Sequence, residues 1–196
     1  MPKMGGNCQF IMVQLPEVCD KKSEAFKIRY QTIAEISKER IRRAGKKIQE
    51  EHPDYQGDLG FKVFKLDSTN IKPWEVDDDL DQAQLEAFID PIKPNRTDDI
   101  DLVYEVLLKY GFDLTLPIEE HIFDGEKFFN IGEGALIICL SNKISLEVVS
   151  KILELKNAER NVERVVFKDS GFESDAVKIN AIQMLKTVGI EEVKSI

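Results

Sequence analysis

The chain has 196 residues with 27 basic and 36 acidic side chains, a formal charge of −9. Its apolar share of 42%, with 11 glycines besides, is that of a globular protein and excludes disorder throughout. No run of about 18 apolar residues occurs, so no transmembrane helix is encoded, and the acidic balance leaves room only for a local basic face toward nucleic acid.

The opening residues MPKMGGNCQF lack the long apolar run of a secretory signal. Cys8, Cys19 and Cys139 are odd in number and lack metal-ligand spacing, which reads as reduced cytosolic thiols serving as core filler. Gln9–Pro16 (QFIMVQLP) is a nearly continuous apolar run, as expected of a strand buried on both faces. Ser23–Glu51 reads as one long helix with Ser23 as its cap. Ile33, Ala34, Ile36, Ile41, Ala44 and Ile48 share an arc of roughly 160°, and Lys38, Arg42 and Lys46 lie opposite. Phe61–Leu66 (FKVFKL) is predicted as a second strand, ending in the turn residues Asp67-Ser68-Thr69-Asn70. Strand, helix, strand with a right-handed parallel crossover is therefore the expectation for 1–74.

Composition then shifts. Between Glu75 and Asp101 ten acidic residues face only Lys93 and Arg96, which marks 75–97 as an acidic linker with a short helix around Asp79–Ile89. The run Asp77-Asp78-Asp79 lacks the spacing and glycine of a calcium loop and suits a helix start. A helix over Asp98–Tyr110, ended by Gly111, opens a second α/β domain over 98–196. A hairpin around Gly125 follows, with strands Glu119–Asp124 and Lys127–Ile131. Then come strand Ala135–Leu140, helix Ser145–Lys156, strand Arg164–Lys168, helix Ser174–Val188 and strand Glu192–Ile196. That alternation is a parallel α/β pattern.

Chemistry-bearing groups are few. His52 and His121 lack a nucleophile at a recognisable motif spacing. Gly132-Glu133-Gly134 precedes a strand instead of opening a helix, so it reads as a turn and not a phosphate cradle. Gln14 and Glu17 end the first predicted strand, and Asp67 and Ser68 end the second. In a parallel sheet such positions border a ligand crevice, where carboxylates accept from ribose hydroxyls; the alternative is that they are cap and turn residues. The stretch Lys38–Lys47 carries six positive side chains and one negative. Lys38, Arg42, Arg43 and Lys46 are the candidates for contacts to a nucleic-acid backbone; the alternative is a solvated helix face whose basic residues offset the macrodipole.

Longer strings narrow the choice. GGNCQFIMVQLPE, TIAEISKERIRRAGKKI and GFKVFKLDSTNIKPW, followed by DLVYEVLLKYGFDLTLPIEE, GALIICL and ERVVFKDSGFESDAVKINAIQMLK, resemble the modification (Mod) subunits of type III restriction–modification systems, collinearly from about Gly5 to Ile196. The resemblance implies an adenine-specific DNA methyltransferase using S-adenosylmethionine, with DNA and a restriction subunit or second Mod subunit as partners, a homodimer among the options, in the cytoplasm. It also implies a partial Rossmann-like methyltransferase sheet followed by a small α/β domain for assembly. Glu17 or Gln14 would then meet the cofactor ribose, and Asp67 and Ser68 would border its adenine. The family's Asp-Pro-Pro-Tyr motif does not occur here, nor does its Phe-x-Gly-x-Gly loop. The expectation is the last third or so of a Mod protein, inactive alone, with a non-catalytic docking module as the alternative.

Overall fold

The computed structural model of the chain describes residues 9–72, 92–93, 99–157 and 162–196. Cys8, the run Asp77-Asp78-Asp79 and the predicted helix Asp79–Ile89 lie outside these residues. The chain divides into two compact units, Met1–Phe64 and Lys65–Ile196.

The first unit is helical where it is regular. Ser23 caps a single-turn helix α1 (Glu24–Lys27), its hydroxyl accepting from the Phe26 amide at 3.2 Å. The chain then breaks instead of continuing as one helix. Arg29 turns into the left-handed region at φ 77°. The amides of Arg29 and Tyr30 donate to the carbonyls of Phe26 and Ala25, the double bond of a Schellman end. Thr32 opens helix α2 (Ile33–Glu51) with a complete capping box: its hydroxyl accepts from the Glu35 amide, and the Glu35 carboxylate accepts from the Thr32 amide.

The two predicted strands of this region do not form. Residues 9–16 and 61–66 have no ladder among the described residues; one isolated antiparallel bridge, Val18 to Thr32, is all the β pairing near the first run. The reason is physical. A run apolar on both faces is stable only with strands on both edges and cover on both faces, and the described residues of this unit supply one long helix. No side chain between residues 9 and 64 is buried, and Ile11 and Val13 are 93% and 91% exposed.

The second unit is a three-layer α/β structure. Helix α3 (Asp99–Tyr110) comes first. Strands β1 (Ile118–Phe123), β2 (Glu126–Ile131) and β3 (Leu136–Cys139) follow as an antiparallel meander. Helix α4 (Leu146–Asn157), β4 (Arg164–Phe167), helix α5 (Asp175–Thr187) and β5 (Glu192–Ser195) complete it. The five strands lie in the order β1-β2-β3-β4-β5, with β3, β4 and β5 parallel. The α/β class read from the sequence is thus present, with each of these helices and strands within a residue or two of its predicted range.

Alternation sorts the sheet's side chains. Phe128, Ile137, Cys139, Val165 and Phe167 face Val148, Val149 and Ile152 of α4 and Ala181 and Leu185 of α5. On the other face Phe129, Ile131, Leu136, Ile138 and Val166 meet Leu102, Val103, Val106 and Leu107 of α3. Each of the Val, Leu, Ile and Phe side chains among them contributes roughly 1.5–3 kcal/mol on burial. The glycine turns behave as read: Asp124-Gly125 closes the hairpin with φ of 52° and 83°, and Gly111 and Gly189 end α3 and α5 in the left-handed region.

Candidate functional site

The sequence points to three sets of residues, two in the first unit and one in the second. In the first unit Gln14 and Glu17 lie on extended backbone and are exposed. The Glu17 carbonyl accepts from the amide of Ile33, the first residue of α2, at 3.1 Å. The Val18–Thr32 bridge and the Cys19 amide on the Gln31 carbonyl (2.8 Å) continue that seam. The capping box of α2 therefore fixes the backbone that carries Glu17 and leaves its carboxylate toward solvent.

The second set belongs to the other unit. Asp67 and Ser68 are exposed, and the Ser68 amide donates to the Asp67 carboxylate at 2.6 Å. Directly after them the chain is clamped. The Thr69 hydroxyl and the Asn70 amide (2.7 Å) both donate to the carboxylate of Glu105 on α3. Lys93 donates from Nζ to the Thr69 carbonyl at 2.7 Å and from its amide to the Asn70 carbonyl at 2.8 Å. Ile71 bridges Ile92, and both pack against the α3 side of the core. Lys109, one turn along α3, lies 3.0 Å from Glu105. Burial pushes the Glu105 carboxyl up, but the hydrogen bonds from Thr69, Asn70 and Lys109 outweigh it and hold it below the ordinary range.

Each set by itself offers exposed hydrogen-bonding groups, an amide and a carboxylate at Gln14 and Glu17 and a carboxylate and a hydroxyl at Asp67 and Ser68. Among the described residues no group of three or more His, Cys, Asp or Glu side chains is arranged to hold a metal ion.

The third set lies on α2. Arg43 pairs with Glu39 at 2.7 Å, and Arg42 lies 3.9 Å from the same carboxylate and 5.8 Å from the Phe61 ring centroid. Lys46 faces Glu50 at 3.8 Å, and Lys47 faces Glu51 at 3.6 Å. Acidic partners one turn away thus offset much of this basic face, leaving six positive against four negative charges over the helix.

Sequence reasoning missed Glu105, because its partners lie 35 and 36 residues away. It also missed a polar group on the β1–β2 pair. Buried Asn130 donates to Glu119 at 3.0 Å, and His121 stacks on Phe128 with its Nε2 3.7 Å from Glu119. Register places Glu119 opposite Asn130, so the hairpin read around Gly125 reveals that pair once its turn is fixed at Asp124-Gly125. Cys139 is core filler as expected, its thiol pushed up to about 11 by burial.

No protein-family model matches the chain. Two curated relatives do. The chain is 32% identical over 171 residues to the Mod subunit of the type III restriction–modification enzyme EcoP15I of Escherichia coli, an alignment covering 85% of this chain and 24% of that protein. It is 36% identical over 81 residues to the Mod subunit of the type III enzyme StyLTI of Salmonella typhimurium, covering 41% of this chain and 12% of that one. The chain thus spans about a quarter of the length of the first relative.

Proposed function

Given a chain related to the Mod subunits of type III restriction–modification enzymes, we propose that it is the C-terminal segment of a site-specific DNA methyltransferase acting on the exocyclic amine of adenine. The collinear match over 171 residues carries this reading. In it, the residues up to about 74 belong to a Rossmann-like methyltransferase sheet, and 98–196 form an assembly domain. The exposed apolar run from Phe10 to Val18 supports the first part, since both its faces and both its edges call for cover that the rest of a methyltransferase sheet would provide.

S-adenosylmethionine, when bound, supplies the methyl group. Glu17, with Gln14 beside it, would accept from the ribose hydroxyls, and Asp67 and Ser68 would border the adenine. Lys38, Arg42, Arg43 and Lys46 would lie along the DNA backbone. Methyl transfer to a flipped adenine needs a polar pocket of the Asp-Pro-Pro-Tyr kind, which this sequence lacks. The chain alone is therefore inactive and binds the cofactor feebly. The intact enzyme works on DNA in the cytoplasm together with a restriction subunit or a second Mod subunit. Isothermal titration with S-adenosylmethionine tests this. Weak or undetectable binding is expected, and submicromolar affinity would show that the chain holds a complete cofactor site.

A second reading, a non-catalytic docking module, draws on the same exposed side chains. Light scattering over a concentration series separates the two: self-association favours the module, and a monomer that takes no partner from the restriction or modification subunits removes it.

A further inference from the structure

We propose that Glu105 is a positioning residue for the adenosine side of the cofactor site, holding the Asp67-Ser68 turn in place from helix α3. This deepens the functional reading above and rests on it.

The anchor is unusually complete for an exposed loop. One carboxylate takes both the Thr69 hydroxyl and the Asn70 amide. Lys93 holds the carbonyls of the same two residues, and the Thr69 hydroxyl also accepts from the Ile71 amide at 3.2 Å. The platform beneath is rigid, because Glu105 is flanked on α3 by the buried Leu102, Val103, Val106 and Leu107. Consecutive Cα atoms lie about 3.8 Å apart. Ser68 is therefore one link, and Asp67 two links, from an atom pinned to the core of the α/β unit. A turn on so short a tether keeps its carboxylate and hydroxyl close to one place, and a ligand that needs them loses less freedom on binding. Helix α3, which carries no cofactor group of its own in this reading, would then set the placement of Asp67 and Ser68 within the second unit.

The test uses this chain, with S-adenosylhomocysteine as probe up to millimolar concentration and amide NMR as the readout. Glu105→Gln keeps the side-chain volume and removes one of the two charge-assisted acceptors. Thr69→Val removes the hydroxyl, with its bond to Glu105 and its acceptance from the Ile71 amide, and serves where the first variant folds poorly. Amide exchange at Asn70 should quicken by roughly tenfold in Glu105→Gln, and the affinity for S-adenosylhomocysteine should weaken several-fold, on the order of half a decade or more. Quickened exchange with unchanged affinity would make Glu105 a structural residue only and overturn the proposal while the functional reading stands. Unchanged exchange at Asn70 would overturn it as well. Absence of any shift at Gln14, Glu17, Asp67 and Ser68 in the unsubstituted chain would overturn the assignment of these residues to the cofactor, and this proposal with it, while the reading of the chain as a methyltransferase segment stands.

Discussion

Gly171 lies directly against the carbonyl of Ser141: a Cβ at position 171 would stand 2.1 Å from that oxygen and 3.0 Å from the Ile144 side chain. Ser141 follows β3 and Gly171 follows β4, and the Ile144 amide donates to the Gly171 carbonyl at 2.7 Å. The loops at the carboxyl ends of two neighbouring parallel strands are locked together, and what makes the lock fit is the missing side chain. No positive φ is involved here; the constraint is room alone. Gly171→Ala should therefore destabilise the α/β unit by about 2–3 kcal/mol through a backbone that has to shift. Urea unfolding monitored by circular dichroism gives the midpoint. A midpoint unchanged from that of the parent chain would contradict the close approach.

Arg29 occupies the position that glycine takes at Gly111 and Gly189. All three residues are left-handed, and each is followed by an amide bonded back to the carbonyl five residues earlier. Arginine bears a Cβ penalty there of about 1–2 kcal/mol, partly offset because glycine is freer in the unfolded chain. Arg29→Gly should accordingly stabilise the α1–α2 junction by about 0.5–1 kcal/mol, read as faster-folding or more persistent helicity in thermal melts. A loss of helicity would mean that Arg29 has a role beyond its backbone.

The same residue explains what was and was not legible in the sequence. From Asp99 to Ser195 every α-helix and strand among the described residues could be read, because its signals were local: alternating apolar residues, Asp124-Gly125 in the hairpin, and Gly111 and Gly189 as stops. The break between α1 and α2 was missed because an arginine fills the stop position. Thr32 and Glu35, three residues apart, were the available sign of a new helix start. The runs at Gln9–Pro16 and Phe61–Leu66 form no strand among the described residues for a different reason. Strand propensity reports fitness for a pleated, half-buried surface, and a strand exists only when another pairs with it. Of the candidate site, Gln14, Glu17, Asp67 and Ser68 could be named from strand ends, but Glu105 could not, since nothing local marks a carboxylate that serves a loop 35 residues upstream.

Four carboxylates of the α/β unit, Glu105, Glu147, Asp169 and Glu192, are held below their ordinary values, and the two that are partly buried, Glu105 and Asp169, make its stability sensitive to acid. Glu105 is held below its ordinary value of 4.5 as described above. Asp169, after β4, is lowered from 3.8 chiefly by its hydrogen bond to Lys178, with Ser195 adding to it against the cost of burial. Both groups have depressed values in the folded state, so the unfolded chain binds more protons in this range. Their contribution is present above about pH 4.5 and drains away as pH falls through the lower folded values. Asp169 is nearly half exposed and is worth well under about 1 kcal/mol after solvent screening. Glu105 is the better shielded and dominates. Urea midpoints between pH 3 and 6 should fall toward acid in the parent chain and flatten in Glu105→Gln. A parallel fall in both would assign the acid sensitivity elsewhere.

Helix α2 offers a sharp test of the nucleic-acid reading, because one acidic residue sits within its basic face. Glu39 lies 2.7 Å from Arg43 and 3.9 Å from Arg42, and so ties up two of the four candidate phosphate contacts. Exposed pairs of this kind are worth little, so the guanidinium groups can leave Glu39 for phosphate at small cost. The carboxylate itself still repels a phosphate chain. Glu39→Gln should therefore tighten binding to duplex DNA, and charge reversal at Arg42 and Arg43 should weaken it without changing any sequence preference. For each phosphate contact, the slope of log affinity against log salt should change by about 0.9. Fluorescence anisotropy with a labelled duplex between 50 and 200 mM salt measures both effects. Binding that is flat over that range, or indifferent to Glu39, would leave α2 as a solvated helix whose charges serve its own stability.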